Sequence, residues 1–74
     1  MSRHTLDARN SPCPMPVIKT QNKIAELSCG DTLEVTSTDP GALNDIPAWC
    51  RINGHTVKET REQEETVIIL IEVN

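Results

Sequence analysis

The chain has 74 residues, 11 acidic against seven basic side chains, a net charge of −4, and one aromatic residue, Trp49, with no Phe or Tyr. A chain this short buries only about 60% of its unfolded surface, so it is read as one small domain over residues 1–74. Its core must come from seven Ile, five Val and five Leu. Nucleic-acid binding rests mainly on phosphate neutralisation, and no Lys/Arg cluster is present, so direct RNA or DNA binding is disfavoured and a protein partner is expected.

Cys13, Cys29 and Cys50 are an odd set without CxxC spacing, and His4 and His55 supply no ligand pair. Neither a disulfide framework nor a zinc site follows, and no motif calls for a cofactor or metal. Met1 to Thr5 holds no apolar signal core and no run approaches transmembrane length, so the expected setting is a reducing cytoplasm with no membrane association.

Thr5 to Ala8, opening at Arg3, reads as a first strand, and Arg9 to Pro12 is the polar loop that delivers Cys13. Cys13-Pro14-Met15-Pro16 has the composition of a helix start. Pro14 suits the first helical position, where an N–H has no intrahelical partner, and Cys13 before it is pushed towards extended geometry as the cap. Pro16 disfavours the α region at Met15, so the first turn should be irregular. The N–H groups of Cys13, Met15 and Val17 are expected to stay free and face the sulfur, and the positive end of the helix dipole favours an anion there. An ordinary thiol with a pKa of about 8.5 is roughly 3% ionised at neutral pH, and a helix terminus that lowers it by about one unit raises that to roughly a quarter. The competing reading of Cys13 is a small buried hydrophobe that happens to precede a helix.

The first helix is expected to run to about Ser28 and stop at Gly30, with Val17, Ile18, Gln21, Ile24, Ala25 and Leu27 inward and Lys19, Asn22, Lys23 and Glu26 outward. Thr32 to Ser37 alternates as a strand with one covered face. Thr38-Asp39-Pro40-Gly41 repeats the cap-then-proline device, with Asp39 as the cap. The second helix carries Leu43, Ile46, Trp49, Cys50 and Ile52 inward, and Pro47 predicts a kink or restart near Asp45. His55 to Arg61 is a half-polar third strand, and Glu62 to Glu65 a turn. Thr66 to Val73 is too apolar for an edge strand.

The order β-α-β-α-β-β predicts an α/β (α+β) two-layer sandwich: a four-stranded mixed sheet, order 1-2-4-3, with two helices on one face. The first two strands, joined by a right-handed crossover, are parallel. Their following loops therefore fall at one edge, which makes the Cys13 and Asp39 loops neighbours.

These residues closely resemble the TusA/SirA family of sulfur-carrier proteins over nearly the whole chain. The resemblance rests on Leu6-Asp7, on Cys13-Pro14-Met15-Pro16 as the CPxP motif, and on Gly30-Asp31. It continues through Thr38-Asp39-Pro40-Gly41-Ala42, Asp45-Ile46-Pro47-Ala48-Trp49-Cys50 and Gly54-His55. Family members usually carry glycine where this chain has Asn10, a residue that tolerates positive φ better than most. The resemblance implies that Cys13 accepts a sulfane sulfur as a persulfide and passes it on, a sulfurtransferase-like carrier rather than a stand-alone enzyme. It implies cysteine desulfurases or rhodaneses as donors and DsrE-type (TusD-type) relay proteins as acceptors, serving tRNA thiolation or sulfur oxidation.

Around Cys13, the site-shaping candidates are Pro14, Met15, Pro16, Arg9 as the nearest cation in sequence, and Asp39. Trp49 reads as packing and Cys50 as a quiet core thiol. Two alternatives belong to other classes. A thiol-redox module needs a resolving cysteine, for which only Cys50 on the other helix is on offer. A regulatory protein-interaction domain without sulfur transfer needs no cysteine chemistry at all.

Overall fold

The computed structural model describes residues 2–12 and 14–74. Its elements are β1 (Arg3–Ala8), α1 (Met15–Ile24), β2 (Thr32–Ser37), α2 (Ala42–Ile52), β3 (Thr56–Glu62) and β4 (Val67–Glu72). The sheet order is β1-β2-β4-β3, with β1 and β2 parallel and β4 antiparallel to both its neighbours. Two antiparallel steps make β3 parallel to β2. The ends of β1, β2 and β3 and the start of β4 therefore share one edge of the sheet.

Strand alternation decides which face is covered. Leu33, Val35, Ile69 and Ile71 are fully buried, while Glu34, Thr36, Ile68 and Leu70 point to the other side. Both helices pack on the buried face, α1 against β1 and β2 and α2 against β3 and β4. The open face is roofed by charge: Arg61 reaches Glu59 at 2.9 Å and Glu34 at 3.8 Å, and Arg3 meets Glu34 at 3.4 Å. Because β4 lies between β2 and β3, with Leu70 opposite both Glu34 and Glu59, Arg61 spans the apolar centre of that face.

The helices depart from the sequence expectation in phase and extent. Ile18 is 40% exposed and Ile52 82% exposed, although both were expected inward, and Gln21 and Ala25 also face solvent. Instead α1 buries Pro16, Thr20 and Ile24, one every four residues. Thr20 tolerates burial because its hydroxyl donates to the Pro16 carbonyl at 2.8 Å. Helix α1 ends at Ile24 rather than near Ser28, and the chain leaves through turns closed by Glu26 N–H to Lys23 C=O and Leu27 N–H to Ile24 C=O, each 3.0 Å. Gly30, at φ +94°, turns the chain into β2, its N–H donating to Val73 C=O at 2.8 Å. Helix α2 runs without a restart through Pro47.

Candidate functional site

The edge shared by the ends of β1 and β2 holds the loop that leads to Cys13. Cys13 itself, the persulfide residue expected from the sequence, lies outside the described residues. The residues on either side define its setting.

Each of the four residues before it is tied down. Arg9 forks onto Asp7, with Nε to Oδ1 at 2.9 Å, Nη2 to Oδ2 at 3.0 Å and its backbone N–H to Oδ1 at 3.0 Å. That guanidinium holds the Asp7 carboxyl down at about 2, and the Asp7 carboxylate in turn raises the pKa of Arg9. Asn10 adopts φ +62°, the left-handed conformation that an asparagine tolerates better than most residues. Its N–H donates to Thr38 Oγ1 at 2.8 Å, which joins the loop after β1 to the loop after β2. Ser11, only 8% exposed, accepts from Lys19 Nζ at 2.6 Å. Pro12 C=O accepts from Met15 N–H at 2.7 Å.

On the other side, α1 opens one residue later than expected. Pro14 is the cap, at φ −99° and ψ 19°, and Met15 is the first helical residue, with Pro16 inside the first turn. Of the N–H groups expected to be free, those of Met15 and Val17 are engaged. Met15 donates to Pro12 C=O, and both Val17 and Ile18 donate to Pro14 C=O at 3.2 Å. Counting missing intrahelical partners cannot foresee this, because the acceptor on Pro12 lies outside the helix. Pro14 is exposed and Pro16 buried, so the two motif prolines split between surface and core. Met15, 38% exposed, and Ile18 form an apolar patch at this end of α1.

Asp39 lies in the adjacent loop. Its Oδ1 accepts from Gly41 N–H at 2.9 Å, and its own N–H donates to the buried Ser37 Oγ at 3.0 Å. A Cβ on Gly41 would stand 3.2 Å from that Oδ1, so the glycine leaves room for the carboxylate. The expected Asp39 cap is not formed: the N-cap of α2 is Gly41, with no side-chain cap bond, and the Asp39 carboxylate instead closes a local turn onto Gly41 N–H, two residues before the helix begins at Ala42. The Glu62–Glu65 turn falls on the same edge but three strand spacings, about 14 Å, from β1.

Sequence reasoning missed two residues. Lys19 was set outward as a solvated charge, yet it holds Ser11, and Thr38 holds Asn10. No sequence pattern announces either bond, since the partners are eight and 28 positions apart. The other cysteines stay apart from this edge. Cys29 is exposed in the turn before β2, at the opposite end of the strands, while Cys50 is fully buried, and burial pushes its thiol up to about 11. Among the described residues no three His, Cys, Asp or Glu side chains gather as a metal site.

A family model described as Sulfurtransferase TusA matches residues 4–73. A putative sulfur carrier protein of Bacillus subtilis (strain 168), YrkI, is 42% identical over 62 residues, covering 84% of this chain and 83% of that protein. The sulfur carrier protein TusA of Pseudomonas paraeruginosa is 39% identical over 66 residues, covering 89% and 84%. The crystal structure of a SirA-like protein from Desulfitobacterium hafniense has the same fold, with a TM-score of 0.84 at 23% identity over 96% of this chain and 97% of that one.

Proposed function

The chain belongs to the TusA family and is a sulfur carrier, and from that premise we propose that Cys13 is the atom-bearing residue, loaded as a persulfide by one protein and unloaded by another. The observation that supports this reading is the fourfold anchoring of Arg9 to Pro12, the segment that leads up to Cys13 in sequence. A carrier that hands over one atom gains from such preorganisation, because the partner need not order the loop on docking.

The chemistry is two exchanges of the same kind. The Cys13 thiolate attacks the outer sulfur of a donor persulfide, a new S–S bond forms, and the donor's inner S–S bond breaks to release its thiolate. An acceptor thiolate then attacks the outer sulfur on Cys13, which leaves as thiolate with no net oxidation. Donors of the cysteine desulfurase or rhodanese class and an acceptor of the DsrE (TusD) type fit this scheme, feeding tRNA thiolation or sulfur oxidation. Such thiol chemistry suits a reducing cytoplasm. No helix among the described residues is long and apolar enough to cross a membrane.

The redox alternative is weakened by Cys50, whose buried, raised thiol makes a poor resolving nucleophile. The test is loading with a desulfurase plus cysteine, or a rhodanese plus thiosulfate, followed by mass spectrometry. One reducible sulfur on Cys13 and none on Cys29 or Cys50 is the expected result. A Cys13→Ser protein that still acquires the sulfur overturns the assignment.

A further inference from the structure

The sheet has two outer strands, β1 and β3, and they are finished differently. Strand β3 carries Lys58, Glu59, Arg61 and Glu62, and its pairing with β4 slips between Val57 and Glu59. A bulge and a crowd of charges keep an edge strand from pairing with another chain. Strand β1 has no bulge, proline or lysine, and its register against β2 is unbroken from Arg3 opposite Thr32 to Ala8 opposite Ser37. Thr32 N–H donates to Ser2 C=O at 2.9 Å, so the even-numbered residues of β1 serve β2. The N–H and C=O groups of Arg3, Thr5 and Asp7 therefore point away from the sheet, and their exposed side chains lie on its open face.

We propose that β1 is a self-pairing edge, to which a second copy of this chain adds its own β1 antiparallel about a two-fold axis at Thr5. In that register Thr5 faces Thr5, Arg3 faces Asp7 of the second copy, and Asp7 faces its Arg3. All three are hydrogen-bonded pairs, so every outward N–H and C=O of both strands is satisfied. Charge selects this occupant. The order cation, neutral, anion along Arg3, Thr5 and Asp7 is self-complementary only when antiparallel, since a parallel copy sets Arg3 against Arg3 and Asp7 against Asp7. Asp7 already holds Arg9, but a carboxylate has room for more than two donors, and a hollow of about 290 Å³ lined by Thr5, Leu6, Asp7, Arg9 and Thr36 leaves space for a second guanidinium. The helices do not obstruct the pairing. Helix α1 packs over β1 and β2, so the two α1 helices come about two strand spacings apart, roughly 9–10 Å, an ordinary distance for packed helices. The two four-stranded sheets become one, with both helical layers on the same face and the loops that follow the two β1 strands at opposite ends.

The test is sedimentation over a concentration series, with cross-linking to read the register. The parent is expected to be half dimeric at about 0.1 mM, as suits a small transient interface. Arg3→Glu and Asp7→Lys each set like charges across the two-fold and should weaken dimerisation about tenfold, whereas an equimolar mixture of the two should return to within about threefold of the parent, because every pair in the mixed dimer is again of opposite sign. That recovery also excludes misfolding as the cause of the loss. In a Cys13→Ser, Cys29→Ser background, Thr5→Cys should form an intermolecular disulfide under mild oxidation, since a hydrogen-bonded antiparallel pair holds its Cα atoms about 5.5 Å apart. Arg3→Cys should not, because its copy lies at the far end of the paired strand. A parent that stays monomeric up to about 1 mM overturns the proposal. So does a mixture no better than its components, or a cross-link as strong from Arg3→Cys as from Thr5→Cys.

Discussion

The two ends of the sheet are organised around opposite charges. At the end that leads to Cys13, the loop is held by Lys19 and by a guanidinium closed on its own carboxylate. At the other end the centre is Asp31, a buried residue that accepts Ser2 N–H at 2.9 Å and Ser28 N–H at 3.0 Å and stands 3.4 Å from His4 Nε2. Its backbone joins the same knot, with Val73 N–H donating to Asp31 C=O at 2.8 Å. The Asp31 end closes on itself, tying the N-terminal strand to the last one. The Lys19 end fixes its loop equally well but leaves donors and the apolar Met15 and Ile18 facing outward. The Asp31 end carries the exposed Cys29, and the other end carries the loop that leads to Cys13, the residue proposed above to bear the sulfur.

The sharpest way to break that comparison is to exchange the cysteines' roles. Cys13→Ser should reduce sulfur loading to background, whereas Cys29→Ser should load within about twofold of the parent, as read by intact-protein mass spectrometry. Equal losses in the two variants would erase the distinction between the ends. Cys50, buried between them, provides a stability test. Cys50→Ser places a hydroxyl among apolar side chains and should cost about 1–3 kcal/mol in chemical denaturation. The native Cys50 thiol should resist alkylation until the chain unfolds.

A smaller effect comes from acid. The backbone N–H groups of Ser28 and Ser2 lower the Asp31 pKa, and Arg9 holds Asp7 at about 2. A carboxyl depressed in the folded state contributes stability that is full above its unfolded pKa of about 3.9 and is lost as pH falls through the folded value. The midpoint of thermal unfolding should therefore fall from roughly pH 4 downward to about 2. Asp31→Asn should lower the midpoint at neutral pH and flatten that acid limb. Asp7→Asn should do less, because Asp7 and Arg9 are both more than half exposed. The smallest effect is expected at the acidic turn. Replacing Glu62, Glu64 and Glu65 by Gln should slow transfer to a partner with a basic rim about twofold at low salt, leaving the Cys13 alkylation profile in place. A rate indifferent to salt and to the triple replacement would assign docking to Met15 and Ile18 instead.

What the sequence disclosed was mostly the sheet. The alternation of Leu33 and Val35 against Glu34 and Thr36, and the run from Val67 to Ile71, are period-two signals that depend only on which face is covered. They gave the strands and the order β1-β2-β4-β3. Helical phase was less legible. Apolar periodicity counts side chains without knowing what lies opposite them, so Ile52, at the last residue of α2, was set inward where the structure leaves it exposed. Thr20 was overlooked as core because its buried hydroxyl is satisfied within the helix. The loop before Cys13 was legible as a turn, down to the left-handed Asn10. Its electrostatics were not, since the Met15 N–H bond to Pro12 and the reach of Lys19 to Ser11 are tertiary facts.

The lone indole has an optical consequence. Trp49 stacks on the His55 ring with centroids 5.5 Å apart and planes 22° from parallel, where α2 gives way to β3. With no Phe or Tyr in the chain, near-ultraviolet absorbance and intrinsic emission come from that one place. The chromophore sits towards the Asp31 end, so a protein that settles on Met15 and the loop before Cys13 leaves the emission almost as it was. A spectral change on adding a tryptophan-free partner would then mark a displacement carried along α2, and a silent spectrum beside rapid sulfur exchange would mark a scaffold that stays still while its cargo moves.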